Sequence, residues 1–472
     1  MARKKVRKAG GRAQAQRQAV QRQQAKRQQM QRQQMSGKQV ERQQIERERA
    51  KRQQEGQRRE QLLMQQRQEM QERQEMLRRQ QMQMRGEPEQ EEERRKKKAR
   101  RFYDYGLLVV IIFLTAFGLI MIYSSSAYNA QVSGQPSTYY MMRQGGIAVV
   151  GFIMMLIISK IDYHFFAKFA VPAVVVSYIC EFLVTFTPLG IAVNGKKRWL
   201  GTRSLRFQPA ELVKIVMILF LAVVITRLGK RINEWRVWGM LAVLLGPLAL
   251  FVTLNNLSSG IIICGIAFVM MFVACKRKWP FILVVVALIV VIVFAPPVAI
   301  AMEKAGILHS YQLSRILVWK NPEAYPKSGG YQVLQGLYAI GSGGLLGKGL
   351  GQSIQKLSFL PEPQNDMIFA VICEELGLFG AIAVIFMFLF MLYRFLVIAG
   401  NAPDLFGAML VTGVLAHIAI QVVLNIAVVT NVIPNTGITL PFISYGGTSV
   451  LFLMVEMGMV LSVSNRIRLE QA

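Results

Sequence analysis

The acid best placed for chemistry in this chain is Asp366, in the run FLPEPQNDMIFAVICEELG. Pro361 and Pro363 bar regular helix before it, and Met367, Ile368, Phe369 and Ala370 open an apolar segment after it. A carboxylate at such a water–lipid boundary can meet a sugar or phosphate headgroup whose lipid tail stays in the bilayer. Partial desolvation there lifts its pKa toward that of a useful general base. The bland role for an Asp at a helix start is capping of free backbone N–H groups, and taken alone that role is the commoner one. Neighbouring segments shift the balance toward chemistry.

Two segments carry further candidates. NGKKRWLGTRSLRFQPAELVK, Asn194 to Lys214, sets Trp199 and Leu200 to lie in the membrane interface while Lys196, Lys197 and Arg198 face a phosphate. Pro209 then starts a helix with Glu211 and Lys214 on one face, an ion pair at a cavity mouth. PNTGITLPFISYGGTS, Pro434 to Ser449, puts non-helical backbone beside the membrane, which is tolerated only when it is packed by protein or lines a cavity. The stretch GSGGLLGKGLG has Ser342 at the first-Gly place of a Walker A motif and Gly349 in place of its Ser/Thr, so its glycines read as tight turns and no nucleotide is expected. Glu181 and Glu456 fall inside apolar spans, where each takes either a structural hydrogen bond or a cavity role. His164, His309 and His417 are scattered and read as structural. Cys180, Cys264, Cys275 and Cys373 have no metal-ligand spacing, so neither zinc nor disulfides are expected.

The elements that must position these residues follow from composition. The chain of 472 residues is 53% hydrophobic yet carries a formal net charge of +29. The two properties separate: residues 1–101 hold 31 Lys/Arg against 13 Asp/Glu and are otherwise mostly Gln, Arg and Met, whereas residues 102–468 have membrane composition. In the tail, apolar residues recur every fifth position, from Ala15 and Val20 to Ile45 and Ala50. Five residues advance a helix by about 500°, so these side chains spiral round it and form no coiled-coil seam. A disordered or transiently helical cytoplasmic tail drawn to anionic lipid is expected. No aromatic residue interrupts residues 1–101 to stack on bases, so nucleic acid is not the expected partner.

The apolar part predicts an all-α polytopic membrane protein of about ten transmembrane helices, near 106–124, 145–159, 166–187, 210–227, 237–254, 257–275, 279–301, 367–396, 405–429 and 447–464. The basic block Arg94 to Arg101 places the N-terminus in the cytoplasm and makes the first span an uncleaved anchor; ten spans return the C-terminus to the same side. A large extracellular loop, from about Glu303 to Asp366, then joins helices 7 and 8. Cations from Lys196 to Arg206 break the positive-inside bias and suggest an anionic ligand, whereas those of the long loop, Arg315 and Lys356 among them, fit equally such a ligand or a loop too long for the bias to apply.

NGKKRWL followed by FQPAELVK, GYQVLQGLYAIGSGGLLGKGLGQSIQKLSFLPEPQND, FAVICEELGLFG and TGITLPFISYGGTS stand in one order that resembles the SEDS family of cell-wall glycosyltransferases (shape, elongation, division and sporulation), which includes FtsW, RodA and SpoVE. The loop run leans toward the FtsW type. The resemblance implies polymerisation of lipid II at the outer face of the bacterial cytoplasmic membrane, in division more than elongation. It implies a class B penicillin-binding protein as transpeptidase partner beside other division or elongation proteins, undecaprenyl-pyrophosphate-linked glycan as the growing strand, and a divalent cation, Mg2+ or Mn2+, with ligands unknown. Asp366 matches the essential loop aspartate. Substrate contacts are implied for Lys196, Lys197, Arg198, Trp199, Glu211, Lys214, Arg315, Gln355, Lys356, Glu362, Ser444 and Tyr445.

The chain departs from the family at two places. Gln364 and Asn365 stand where His-Thr or Gln-Thr commonly precede the loop Asp, so no imidazole serves there. Asn256 replaces an expected carboxylate in Asn255-Asn256-Leu257-Ser258-Ser259, which puts a cation ligand there in doubt. Two other readings are a lipid II flippase, which usually requires broken helices and internal repeats, and a non-catalytic scaffold for the transpeptidase, which has no need of Asp366.

Overall fold

The computed structural model describes residues 62–78, 100–193, 196–201, 206–304 and 311–469. The chain falls into two units, Met1–Lys98 and Ala99–Ala472. In the first, residues 62–78 form an exposed α-helix, as its Gln, Glu, Arg, Leu and Met content favours, where the sequence predicted at most transient helix. The five-residue repeat from Ala15 to Ala50 lies outside the described residues.

The second unit is helical: α1 Tyr105–Val132, α2 Tyr139–Lys160, α3 Ala170–Phe186, α4 Pro209–Leu228, α5 Trp235–Asn255, α6 Leu257–Ala274, α7 Trp279–Lys304, α8 Tyr311–Lys320, α9 Tyr331–Gly343, α10 Ile368–Gly400, α11 Leu405–Val429 and α12 Thr448–Ser464. Among the described residues, eight are long and apolar enough to cross a membrane, and α3 and α12 are shorter apolar helices. Each predicted span coincides with one of these ten. Side chains start several of them: Asp104 accepts from Leu107 N at the head of α1, Asp404 from Gly407 N at α11, and Pro209 opens α4, as its place in the sequence predicts.

Helix α4 is apolar all round and sits at the centre, with 67% of its span buried, packed on α3, α6 and α11. Helix α7 is the opposite case, 11% buried, so nearly its whole surface is left for lipid. Between α3 and α4 lies a three-stranded antiparallel sheet, β1 Gly190–Val193, β2 Lys196–Gly201 and β3 Arg206–Phe207, in that order. Ile191 pairs with Trp199 and Ala192 with Lys197, so Arg198 is an extra, bulged residue on β2. A bulge overrides strand alternation and lets two consecutive side chains turn to one face.

The glycine-rich run and the Glu-Glu pair of FAVICEELG form one joint. Helix α10 breaks at Gly377 (φ 65°, ψ −165°), a conformation open to glycine. Backbone groups at the break find partners in the run before it: Lys348 N and Gly349 N donate to the carbonyls of Glu374 and Glu375 (both 2.9 Å), while Leu378 N and Phe379 N donate to Gly344 O and Leu345 O. A side chain on Gly343 or Gly347 would strike the carbonyls of Cys373 and Glu375, so glycine is required for close approach as well as for turning. The two carboxylates, both fully buried, then gather the next stretch of loop. Glu374 pairs with Lys348 (2.7 Å) and accepts from Ser353 Oγ and Ile354 N; Glu375 pairs with Lys356 (2.8 Å) and accepts from Ser124 Oγ of α1 and Gly351 N.

Cutting one member of the Lys356–Glu375 pair leaves an unpaired buried charge. Lys356→Met is expected to cost about 3 kcal/mol, whereas joint Lys356→Met and Glu375→Leu costs much less. Unfolding of the detergent-solubilised protein measures both.

Candidate active site

The loop anchored at Glu374 and Glu375 ends in Glu362–Asp366, whose carboxylate looks into a cavity of about 790 Å3. Its walls come from parts of the chain far apart: Arg143 of α2, Arg198 and Trp199 of β2, Arg206 of β3, Glu211 and Lys214 of α4, Asn256 and Ser259 at the head of α6, Arg315 of α8, Gln332 of α9, Gln421 of α11, and the segments Asn435–Thr439 and Tyr445–Ser449. Among the described lining residues, Arg143, Arg198, Arg206, Lys214 and Arg315 are set against Glu211, Glu362 and Asp366. The excess of cations favours an anionic occupant.

Asp366 is held at both ends. Its carbonyl accepts from Asn425 Nδ2 (3.0 Å), which also donates to Ile438 O (2.6 Å) and so ties the Asp366 loop to the irregular segment after α11. Gln332 Nε2 lies 3.5 Å from both carboxylate oxygens, and Gln332 Oε1 accepts from Asn435 Nδ2 (3.1 Å). Glu362, at φ 53°, turns the chain, and its carboxylate and carbonyl both accept from Asn365. Burial pushes the Asp366 carboxyl up to about 7, with Glu362's charge adding to the rise and backbone hydrogen bonding, Arg315 and Gln332 opposing it. A carboxyl at that value is a base that is partly ionised at neutral pH and strong enough to accept a hydroxyl proton in a transition state.

Of the expected contact residues, the structure gathers Arg198, Trp199, Glu211, Lys214, Arg315, Glu362 and Tyr445 around Asp366. Glu211 and Lys214 form the expected pair (2.9 Å). Four others are placed elsewhere. Lys356 belongs to Glu375 and Ser124 inside the protein, Lys197 donates to Thr187 O away from the cavity, Gln355 N donates to Glu374, and Ser444 is buried with its Oγ accepting from Leu440 N. The Lys196 side chain and His309 lie outside the described residues. Asn256 caps α6 by accepting from Ser259 N, and Gln364 O accepts from Tyr445 N. His164 bridges Asp162 and Asp404, His417 meets Glu456, and the four cysteines are free. Gln332, Asn425, Gln421 and Arg143 were not singled out from sequence. His417, Gln421 and Asn425 stand four residues apart on one face of an apolar helix, a signal that could have found Gln421 and Asn425.

Asn425→Leu removes the donor shared by Asp366 O and Ile438 O. Amide hydrogen exchange over residues 362–368 is expected to accelerate roughly tenfold, the equivalent of about 1.4 kcal/mol, with exchange in α4 unchanged.

Residues 105–469 match the family described as cell cycle protein, FtsW, RodA and SpoVE. The chain is 37% identical over 366 residues to stage V sporulation protein E of Bacillus subtilis, covering 76% of this chain and 96% of that protein. It is 35% identical over 370 residues to the probable peptidoglycan glycosyltransferase FtsW of Trichlorobacter lovleyi, covering 78% and 94%. Among solved structures it is similar to a chain of a peptidoglycan synthase complex that coordinates polymerization and crosslinking (TM-score 0.63, 26% identity, covering 77% of this chain and 98% of that one). The rod shape determining protein RodA of Thermus thermophilus shares the fold (TM-score 0.56, 24% identity, covering 77% and 97%).

Proposed function

The chain belongs to the FtsW, RodA and SpoVE family of cell cycle proteins, and from that premise we propose that it is a multi-pass membrane peptidoglycan glycosyltransferase of cell division, with lipid II as its substrate. The observation that carries the reading is Asp366, a carboxyl raised to about 7 and facing a cavity with surplus cations. Counting α3 and α12 as spans gives ten crossings, which leave both termini on one side; the basic block Arg94 to Arg101 supports the cytoplasm as that side and the outer face for the cavity.

The reaction joins the C4 hydroxyl of the incoming lipid II sugar to the anomeric carbon of the growing strand. The bond from that carbon to the undecaprenyl diphosphate oxygen breaks, and the diphosphate leaves with the bonding pair. Asp366 takes the hydroxyl proton as the new bond forms. Arg198, Arg206 and Lys214, with Arg315 across the cavity, stabilise negative charge on the leaving diphosphate, and fixed donors there act before the charge develops. Trp199 and Tyr445 give the sugars apolar faces.

A divalent cation fits this site in one form. Among the described residues no three His, Cys, Asp or Glu gather, so an all-protein cage is not offered. Mg2+ characteristically takes one or two carboxylates and completes its shell with phosphate oxygens and water, and Glu362 beside the diphosphate suits that arrangement. When bound, the ion would add charge neutralisation at the leaving group. The likeness to a synthase complex supports a class B penicillin-binding protein as the crosslinking partner.

Asp366→Asn keeps the shape of the side chain and removes the base. The purified variant is expected to fold, to bind its transpeptidase and to form no polymer from lipid II, a loss of at least roughly a hundredfold. Persistent polymerisation would remove Asp366 from the mechanism. Loss of polymer accompanied by loss of lipid II transfer between leaflets would favour transport instead.

A further inference from the structure

A buried polar chain leaves the cavity at Lys214 and runs into the bundle. Lys214 Nζ lies 2.9 Å from Glu211 Oε1 and 3.4 Å from Gln421 Oε1, and the side chain is only 2% exposed. Gln421 Nε2 donates to Thr439 O (3.0 Å), which fixes the amide and turns Oε1 toward both Lys214 and His417 Nε2 (2.8 Å). His417 Nδ1 in turn lies 2.8 Å from Glu456 Oε2, and both side chains are 1% exposed. The chain thus links α12 through α11 to α4.

Its proton inventory follows from the donors and acceptors. Gln421 Oε1 can only accept, so His417 Nε2 carries hydrogen. One further proton then lies between His417 Nδ1 and Glu456, and wherever it rests the pair is neutral overall. A neutral, fully bonded pair is what an apolar span tolerates. The far end has a different consequence. An ammonium has three N–H groups; Glu211 and Gln421 take two, and since Lys214 lines the cavity the third is available to an occupant. Thr439 O holds the Nε2 end of the Gln421 amide and His417 Nε2 the Oε1 end, so without His417 the end that meets the flexible lysine loses its own restraint.

We propose that Glu456 and His417 are positioning residues that, through Gln421, aim the Lys214 ammonium at the diphosphate of a lipid-linked substrate. This rests on the reading of Lys214 as a diphosphate contact, and neither residue touches substrate. Geometry is the requirement and charge is not, because Gln at position 456 can donate to His417 Nδ1 and keep hydrogen on Nε2.

The test is equilibrium binding of undecaprenyl diphosphate to the full chain in nanodiscs, with thermal unfolding followed in parallel. Lys214→Met is expected to weaken binding about tenfold, as is Glu456→Leu, while Glu456→Gln stays within about twofold of the parent. In the Lys214→Met background, Glu456→Leu is expected to cost nothing more, since the two act through one contact. Should Glu456→Leu unfold the protein, the apolar pair Glu456→Leu with His417→Phe replaces it with the same expectations. Parent-like binding by the Glu456→Leu variant, or an equal further loss in the Lys214→Met background, overturns the positioning role alone. Unchanged binding on Lys214→Met overturns the diphosphate contact itself, and the positioning role with it.

Discussion

A membrane helix can break only where its freed backbone groups find partners, because hydrocarbon offers none. At Gly377 those partners are the amides and carbonyls of Gly344–Gly349, and the rest of the site depends on that exchange. It docks the glycine-rich run against α10 and brings Glu374 and Glu375 beside Lys348 and Lys356. The loop then reaches Asp366 already fixed at Ser353, Ile354 and Gln355. A general base must be held to within a fraction of an ångström, and a polar loop does not achieve this on its own. Here the rigidity is borrowed from a broken helix.

The cavity adds the electrostatics. Burial and Glu362 hold Asp366 near neutrality in its proton affinity, and Arg315 limits the rise. The same carboxyl in water would be a weaker base by about three powers of ten, too weak to take much of a sugar hydroxyl's proton. On the proposed reading the cations that share the cavity have the opposite task, stabilising charge on a departing group. One cavity, on that reading, supplies both the base, from the loop, and the electrophilic stabilisers, from β2, β3 and α4.

Much of this was legible in the sequence because the signals were local. Two prolines before an apolar run placed Asp366, i,i+3 spacing placed Glu211 against Lys214, and hydropathy placed the helices. What was not legible depends on three-dimensional pairing. The register of β1 and β2 makes Arg198 a bulge, so it shares the cavity with Trp199 while Lys197 turns to Thr187. Lys356 looked like a loop cation available to phosphate, yet its counter-ion is Glu375, 19 residues further on and just before the α10 break. The turns of GSGGLLGKGLG were legible, but composition does not say that its glycines are set against backbone carbonyls. The 4-residue spacing of His417, Gln421 and Asn425 was visible and is the one local signal that pointed to the missing half of the site.

If Asp366 acts as a base whose proton affinity is set by its surroundings, the pH–rate profile of polymer formation must carry its titration. Since the ionised form is the base, kcat/KM for polymer formation should fall as pH drops through about 7. Glu362's charge disfavours that ionised form, so Glu362→Gln lowers the Asp366 pKa and moves the acid limb to lower pH. A profile flat between pH 5 and 8, or a limb that Glu362→Gln leaves in place, would contradict the account.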